Sequence, residues 1–253
     1  MVLFLIGLGL ADISDVTLKG FELIKKASKV YLEGYTLILQ KPIEELEKFY
    51  GKKITLLDRK GVEQDAEETF LAEAQKEAIA LLVVGDPLTA TTHTDIIDRA
   101  SQLGIKTVIV HNASILSAVG STGLQVYKFG KTTSIPFPEV GFEPESPYLI
   151  LKENKSINAH TLFLLDLRPS EGRFMSIPTA INYLLKIEQN KKEGLITPET
   201  KAIACARLGS QDQRISYGPL QYLAQLDYGK APFCLIIPGP LHFMEEKMLE
   251  KFT

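Results

Sequence analysis

The sequence predicts an α/β protein composed of two α/β domains. Short apolar runs alternate with amphipathic stretches through the first part of the chain, which is the pattern of repeated β-α-β units. A segment of small residues interrupts this alternation near residue 112, and a second series of short apolar runs follows. The chain has 253 residues, of which 45% are hydrophobic and 23% are charged, so it is long enough for two moderate globular domains. We therefore divide it into an N-terminal domain, 1–112, and a C-terminal domain, 113–253.

The N-terminal domain is expected to open on a strand. Residues 1–10 are almost entirely apolar, but no basic segment precedes them, and Asp12 and Asp15 follow without a small-residue cleavage site. A strand is therefore a better interpretation than a secretory signal. Further strands are predicted from short apolar runs and helices from a period near 3.6. The predicted strands are 2–6, 29–32, 81–84 and 107–110, and the predicted helices are 16–27, 64–80 and 92–103.

The C-terminal domain is predicted to mix strands and helices in the same way. Residues 136–147, rich in proline and glutamate, are interpreted as a surface connection, and Tyr183 to Leu185 as part of a core-facing helix. Cys205 and Cys234 fall in separate apolar runs, as buried free thiols of a reduced cytoplasmic protein do. The predicted strands are 132–137, 160–166, 200–206 and 233–237, and the predicted helices are 176–191, 217–226 and 241–251.

Charge and composition exclude several classes of function. The formal net charge of -3 argues against sequence-independent nucleic-acid binding, which depends on clustered Lys and Arg. No apolar run approaches the ~18 residues that span a bilayer. The four histidines and two cysteines have no metal-ligand spacing, so no metal is expected. A small ligand or a protein partner fits the composition best.

Two segments resemble nucleotide-binding motifs only in part. Gly7-Leu8-Gly9-Leu10-Ala11-Asp12 follows the first strand, where a dinucleotide fingerprint would lie, and Glu33 ends the second strand, where a ribose-binding acid would stand. Asp12, however, occupies the third glycine position, so a tight turn without a ligand remains an alternative. Gly130-Lys131-Thr132 resembles the end of a P-loop, but Gln125 replaces its first glycine and a strand follows, so we reject that interpretation.

Residues 83–93 form the most informative segment. An apolar strand stops there at a Gly-Asp-Pro turn, which is expected to expose the carboxylate of Asp86 and a run of threonine hydroxyls at the carboxyl end of the strand. Asp86 either binds a ligand or forms an Asx turn that caps the following helix. His93 either acts as a general base or supports that cap. A second strand that ends in a Gly-Ser turn, residues 204–211, suggests a ligand held between two domains.

Several motifs together resemble one methyltransferase superfamily, and the resemblance covers essentially the whole chain. The segments Ile6–Leu10, Gly85–Leu88, Ala113–Ile115 and Ala206–Ser210 resemble the tetrapyrrole-methylase-type methyltransferases. Within that superfamily, four segments resemble the diphthine synthase family: Gly85–His93, Ser114–Gly120, Leu124–Lys131 and Ile237–His242.

The resemblance implies an enzyme that uses S-adenosyl-L-methionine, is homodimeric and holds its cofactor in a cleft between two α/β domains, releasing S-adenosyl-L-homocysteine. The implied substrate is translation elongation factor 2. The amino group of a 3-amino-3-carboxypropyl chain on one of its histidines would be methylated repeatedly, giving diphthine in diphthamide biosynthesis. The acidic residues Glu139, Glu143 and Glu145 either face a basic surface of that factor or are ordinary surface charges.

Carried over residue by residue, the resemblance also implies a set of cofactor contacts. Backbone groups are expected to meet the adenosine and methionine groups while apolar side chains pack the adenine. We name no catalytic base, because an amine with an ordinary pKa of about 8 is partly neutral near pH 7 and alignment dominates such a transfer. The implied contacts are Leu10, Asp86, Thr89, Ser114, Ile115, Leu165, Leu208 and Phe233.

Three alternatives to this function remain at the level of the sequence. One is a tetrapyrrole C-methyltransferase of the precorrin type. The second is a dinucleotide-dependent oxidoreductase, which depends on Gly7, Gly9 and Glu33. The third is a noncatalytic adapter that binds S-adenosyl-L-methionine or a related nucleotide as a sensor. Protection against heat by S-adenosyl-L-homocysteine but not by NAD would separate the second from the others.

Overall fold

A computed structural model describes residues 1–35, 42–139 and 141–253. These residues form two compact units, Met1–Ser117 and Ala118–Thr253, and each unit contains a five-stranded sheet packed with helices. The predicted α/β class is therefore confirmed, while the predicted boundary near residue 112 stays a prediction. None of the helices within the described ranges has the length and apolar character needed to cross a membrane.

The N-terminal unit is a parallel sheet with the strand order β3-β2-β4-β1-β5. Its last helix, α6, runs across the boundary between the two units along the chain. In chain order the elements are β1 (Val2–Gly7), α1 (Leu18–Lys26), β2 (Lys29–Glu33), α2 (Ile43–Tyr50), β3 (Ile54–Leu57), α3 (Arg59–Glu63), α4 (Phe70–Ala74), β4 (Ala78–Val83), α5 (Thr94–Gln102), β5 (Lys106–Val110) and α6 (Ile115–Ala118).

Both faces of this sheet are covered, which is why its central strands are continuously apolar. In β1, Leu3 and Leu5 point to one face and pack in a core with Ile96 of α5. Phe4 and Ile6 point to the opposite face, into a core that includes residues of α1 and α2. Because every pair of neighbouring strands in this sheet is parallel, the carboxyl ends of the strands share one edge of the sheet.

The C-terminal unit has a mixed sheet with the strand order β11-β10-β12-β7-β6, in which only β6 and β7 are parallel. A single core lies against it, and α8 contributes the predicted core residues Tyr183 and Leu184. In chain order the elements are β6 (Thr133–Ile135), α7 (Ser146–Ser156), β7 (Thr161–Leu165), β8 (Leu167–Arg168), β9 (Arg173–Phe174), α8 (Ile177–Lys191), β10 (Lys201–Ala206), β11 (Arg214–Pro219), α9 (Leu220–Leu223), β12 (Phe233–Ile237) and α10 (Phe243–Leu249).

Two predicted helices are wrong, and both errors have a physical reason. Residues 64–80 contain α4, but β4 already begins at Ala78, since an apolar run cannot by itself be assigned to helix or strand. Residues 217–226 begin as the end of β11, which pairs with β10. Helix α9 starts only after Pro219, whose missing N–H is tolerated at a helix start but not inside one.

The two cysteines are neighbours across the sheet. Cys205 of β10 lies directly opposite Cys234 of β12, and both are buried and free, as predicted. The hydrogen bond with the adjacent thiol of Cys234, together with burial, raises the pKa of Cys205, so this thiol stays protonated and unreactive.

Candidate active site

The strand order of the N-terminal sheet predicts a crevice at its carboxyl edge. Strands β1 and β4 are neighbours in the sheet. The chain leaves β1 across β4 to reach β2 on one side, and it leaves β4 across β1 to reach β5 on the other side. The two connections therefore leave in opposite directions. In open α/β sheets a crevice forms at such a point, and ligands bind there.

The floor of this crevice is backbone from two loops. Gly9 and Gly85 form an isolated antiparallel bridge, in which Gly85 N donates to Gly9 O at 2.7 Å and Gly9 N donates to Gly85 O at 3.3 Å. Both glycines have a positive φ, +83° and +78°. At Gly7, a Cβ atom would lie 2.6 Å from the carbonyl oxygen of Gly85. A side chain at Gly7 would push the two loops apart, and the positive φ of Gly9 and Gly85 disfavours a side chain at either position, so the three glycines allow the close approach of these loops.

Asp86 stands at the centre of the crevice, but its carboxylate is not exposed as the sequence suggested. The residue is 7% exposed. Its Oδ1 accepts from the backbone N of Leu88 at 2.9 Å, which is an Asx turn, and from Thr89 Oγ1 at 3.2 Å. Its Oδ2 accepts from His111 Nδ1 at 2.8 Å and from the backbone N of Asn112 at 3.1 Å. Asp86 thus ties the loop after β4 to the loop after β5.

These hydrogen bonds keep Asp86 ionised. Burial raises the pKa of its carboxyl group, but the backbone N–H of Leu88, the His111 ring and the backbone N–H of Asn112 lower the pKa by more, so that it ends below its ordinary value. A buried negative charge therefore faces the crevice at neutral pH. Such a charge favours a cationic ligand over an anionic one.

Asn112 is a site residue that the sequence interpretation missed. Its Nδ2 donates to Gly7 O at 3.0 Å and to Asp15 O at 2.9 Å, so one side chain joins the ends of β1 and β5. The signal was present in the sequence. His111 and Asn112 are the first polar residues after an apolar strand, at the end of the strand where ligands bind in parallel sheets.

The structure brings the five predicted contacts of the N-terminal unit to this edge. Leu10 follows the Gly9–Gly85 bridge and is half-buried. Thr89 lies in the Asp86 turn, Ser114 is buried after β5, and Ile115 begins α6. That they contact a cofactor stays a prediction.

The three predicted contacts of the C-terminal unit share one end of its own sheet. Leu165 ends β7, Phe233 begins β12, and Leu208 lies two residues after Ala206, which pairs with Phe233. Leu165 and Leu208 are buried, and Phe233 packs against the core. Their contact with a cofactor likewise stays a prediction.

Arg207 stabilises the turn before Leu208. The sequence analysis did not identify it as a site residue. Its φ is +51°, and its backbone N donates to Pro232 O at 2.9 Å. The guanidinium donates to Asp212 at 2.7 Å, to Tyr228 O at 2.9 Å and to Lys230 O. One arginine therefore fixes the loop after β10 against the loop before β12.

A buried ion pair between His93 and Glu33 lies next to the loop that contains Asp86 and contacts it at Pro87. His93 Nδ1 lies 2.9 Å from Pro87 O, and His93 Nε2 lies 2.9 Å from Oε2 of Glu33. Both ring nitrogens thus face acceptors, which favours the protonated ring. Burial lowers the pKa of His93, but the Glu33 carboxylate raises it by more, with smaller contributions from Pro87 O and Glu63, so the net pKa is raised. This buried location favours the supporting role over the general base.

The raised pKa predicts a pH-dependent stabilisation. Since the folded protein binds the His93 proton more tightly than the unfolded chain, the stabilisation is complete below the ordinary pKa of 6.5 and is lost as pH rises through the raised value. We expect His93→Gln to lower the free energy of unfolding more at pH 6 than at pH 9, measured by urea denaturation. An equal loss at both pH values would contradict a charged His93.

Comparison with known proteins assigns the chain to a family. The family model described as Tetrapyrrole (Corrin/Porphyrin) Methylases matches residues 2–224. The chain belongs to the tetrapyrrole methylase family. It is 47% identical to the diphthine synthase of Methanocaldococcus jannaschii over 252 residues, 98% of either chain. It is 44% identical to a protein of Arabidopsis thaliana described as a probable diphthine methyl ester synthase, over 98% of this chain and 97% of that one.

A solved structure agrees with these sequence relatives. A crystal structure of diphthine synthase matches this tetrapyrrole methylase with a TM-score of 0.91 at 35% identity, covering 100% of this chain and 96% of that one. Likeness over the whole length makes the protein a methyltransferase of diphthamide biosynthesis. The predicted methyltransferase function in diphthamide biosynthesis is therefore confirmed.

The β1–α1 turn explains why this tetrapyrrole methylase does not use its Gly7-x-Gly9 segment for a pyrophosphate. The backbone N–H groups of Ala11 and Asp12 both donate to Asp15 Oδ2 at 2.9 Å. The N–H of Ser14 donates to Asp12 Oδ1. A dinucleotide-binding turn would present such groups to phosphate, whereas here carboxylates occupy them and would repel it. Glu33, the predicted ribose-binding acid, pairs with His93 instead.

The acidic residues of the connecting loop are paired within the chain. Glu139 forms an ion pair with Arg168, Glu143 with Lys186 and Glu145 with Lys191. Within the described ranges, no cluster of three or more His, Cys, Asp or Glu side chains has the arrangement of a metal site.

Proposed function

We propose that this methyltransferase transfers methyl groups from S-adenosyl-L-methionine to the amino group of a 3-amino-3-carboxypropyl histidine of translation elongation factor 2. The product is diphthine, and the enzyme acts in the cytoplasm, where translation takes place, as a homodimer. The observation that supports this substrate is the 47% identity to a diphthine synthase over nearly the full length of both chains.

The residues of the crevice fit the methyl donor. S-adenosyl-L-methionine supplies an activated methyl group on a positively charged sulfur and leaves as S-adenosyl-L-homocysteine. The buried negative charge of Asp86 suits a ligand that carries a sulfonium and an ammonium. Half-buried Leu10 and Ile115 offer apolar surface to an adenine, while Thr89 and Ser114 offer hydroxyl groups. In the C-terminal unit, Leu165, Leu208 and Phe233 are the residues proposed to contact the same ligand.

Catalysis then depends on alignment more than on a reactive side chain. The glycine bridge and the hydrogen bonds of Asp86 and Asn112 join the ends of β1, β4 and β5 into one rigid edge. A preformed edge holds the acceptor nitrogen and the methyl group in line without further loss of entropy. Such alignment accounts for about 7 kcal/mol or more of barrier lowering in well-oriented reactions.

The test is transfer of labelled methyl from S-adenosyl-L-methionine to elongation factor 2 that carries the unmethylated aminocarboxypropyl histidine, with the unmodified factor as control. We expect label on the modified factor alone. Label that survives mild alkali lies on nitrogen, whereas label released as methanol lies on a carboxylate, as the name of the Arabidopsis relative indicates for that protein. Failure to label the modified factor would overturn the proposal and leave a tetrapyrrole C-methyltransferase to be tested with precorrin substrates.

A further inference from the structure

We propose that His111 is the proton acceptor for the methylated amine, and that Asp86 holds its ring in the tautomer that this role requires. The assignment rests on the proposed function, because it concerns the acceptor amine of that reaction. The sequence offered only His93 as an alternative general base, which its burial disfavours, and the resemblance named none, so the assignment adds a catalytic residue to the site.

The geometry of the pair is that of a carboxylate–imidazole dyad. His111 Nδ1 lies 2.8 Å from Asp86 Oδ2, so Nδ1 carries the hydrogen and donates it to the ionised carboxylate. In the neutral ring, Nε2 then keeps its lone pair. The same arrangement orients the general base in hydrolases that use a Ser-His-Asp triad.

The two members of the dyad differ in exposure as this role requires. The side chain of Asp86 is 8% exposed, and its four hydrogen bonds fix its position. The side chain of His111 is 67% exposed at the carboxyl edge of the sheet, so the ring is open to a ligand in the crevice and to solvent. Histidine is also the side chain whose ordinary titration lies nearest neutral pH, which suits a proton acceptor that must be regenerated.

His111 differs in this respect from two other histidines of the protein. His93 has both ring nitrogens against acceptors and is 1% exposed. His160 is fully buried, with Nδ1 accepting from Gly239 N and Nε2 facing Glu245. Neither ring can reach a substrate. His111 combines a fixed carboxylate partner with an open ring edge.

Repeated methylation creates the need for such a group. When a neutral amine takes a methyl group, its lone pair forms the new N–C bond, and the C–S bond breaks with its electron pair left on sulfur. The nitrogen is then a positively charged ammonium. Before a second transfer, an N–H bond of this ammonium must break with its electron pair returning to nitrogen. We assign the released proton to Nε2 of His111, from which it passes to water.

The role predicts a defect that depends on pH and on the number of methyl groups. At pH 7, His111→Gln is expected to slow methylation of the modified factor about 100-fold, within the usual range for general-base catalysis, and to leave mainly monomethylated product. At pH 9 the amines lose protons to solvent, so the difference from the wild type is expected to shrink at least about tenfold. Added imidazole is expected to restore dimethyl and trimethyl products at pH 7.

A second readout does not depend on activity. In the free protein, ¹⁵N NMR of the histidine rings is expected to show His111 with hydrogen on Nδ1, and Asp86→Asn is expected to mix its tautomers. A wild-type ring with hydrogen on Nε2 would overturn the dyad.

The activity results separate the possible failures. Equal rates and product distributions for wild type and His111→Gln at both pH values would overturn the assignment. So would a uniform loss at both pH values without rescue by imidazole, since that indicates a structural role. If the wild type transfers no methyl group to the modified factor, the proposed function itself fails and the assignment fails with it.

Discussion

Glu245→Ala is expected to lower the free energy of unfolding by about 3–5 kcal/mol, the usual cost of removing one partner from a buried ionic cluster. Glu245 is fully buried in α10, where its carboxylate accepts from Gln125 N at 2.9 Å, His242 N at 2.8 Å and Lys128 Nζ at 2.5 Å. It also faces His160 Nε2 at 3.0 Å. Without the carboxylate, the two backbone donors lose their acceptor and Lys128 loses its counter-charge. Urea denaturation followed by circular dichroism measures the loss.

The neighbouring Glu246 provides the matched control. It belongs to the same helix and has the same charge, but its side chain is exposed. Glu246→Ala is expected to change the free energy of unfolding by less than about 0.5 kcal/mol. If both variants lose the same small amount, the buried cluster does not anchor α10.

The same carboxylate predicts sensitivity to acid. Burial raises the pKa of Glu245, but the backbone N–H groups of Gln125 and His242 and the side chains of Lys128 and His160 lower it from 4.5 to about 2. The folded protein thus binds this proton less readily than the unfolded chain, so the stabilisation is present above pH 4.5 and is lost as pH falls toward 2. Glu245→Ala is expected to remove that part of the acid dependence.

His160 also makes the folded protein less stable as the pH falls, but it does so at a higher pH than Glu245. Its Nδ1 accepts a hydrogen bond from Gly239 N at 2.9 Å, so the ring is neutral, and burial lowers its pKa despite the nearby Glu245. Stability is therefore lost as pH falls below 6.5, which is the reverse of the dependence expected for His93. Comparing the His93→Gln and His160→Gln variants across pH separates the contributions of these two histidines.

Asp86→Ala is expected to have the second large effect, on both stability and ligand binding. It removes the shared acceptor of Leu88 N, Asn112 N and His111 Nδ1, which we expect to lower the free energy of unfolding by about 3 kcal/mol. Loss of the buried negative charge is also expected to weaken S-adenosyl-L-methionine binding at least about tenfold, since a charge-assisted contact contributes more than 1.4 kcal/mol. Calorimetric titration at a temperature where the variant is folded measures the binding.

Two control variants are needed to interpret the effect of Asp86→Ala. Asp98→Ala removes an exposed carboxylate from α5 in the same unit and is expected to change neither quantity appreciably. Asp86→Asn keeps the size of the side chain but loses its charge, so it separates electrostatic from steric effects. Unchanged affinity in a folded Asp86→Ala protein would show that Asp86 is a turn residue without a role in cofactor binding.

The chemistry of individual strand ends was readable from the sequence because it is local. A Gly-Asp-Pro turn after an apolar run places Asp86 at the end of a strand whatever the rest of the chain does, and the two-residue alternation of β1 identifies a sheet covered on both faces. The order of the motifs along the chain also identified the family and predicted the methyltransferase function. The start of strand β4 and the end of strand β11 were assigned wrongly to helices because their apolar patterns suit either structure, and pairing with β10 decided the second case.

The hydrogen-bond partners of these residues could not be predicted from the sequence, since they depend on contacts between distant parts of the chain. Asp86 meets Asn112 across 26 positions, Asn112 meets Gly7 across 105, and His160 meets Glu245 across 85. The exposure of Asp86 was misjudged for the same reason, because two of its four hydrogen-bond donors, His111 and Asn112, come from the neighbouring strand end.

The sequence by itself thus determined the α/β class, the family and the residue types at each strand end, because these follow from local pattern and motif. Only the tertiary structure decided which histidine is buried as a cation, which is buried neutral and which is left open beside a carboxylate. The charge of a histidine depends on whether its nitrogens face donors or acceptors. Contacts between distant parts of the chain place those groups, which are Glu33 for His93, Gly239 and Glu245 for His160, and Asp86 for His111.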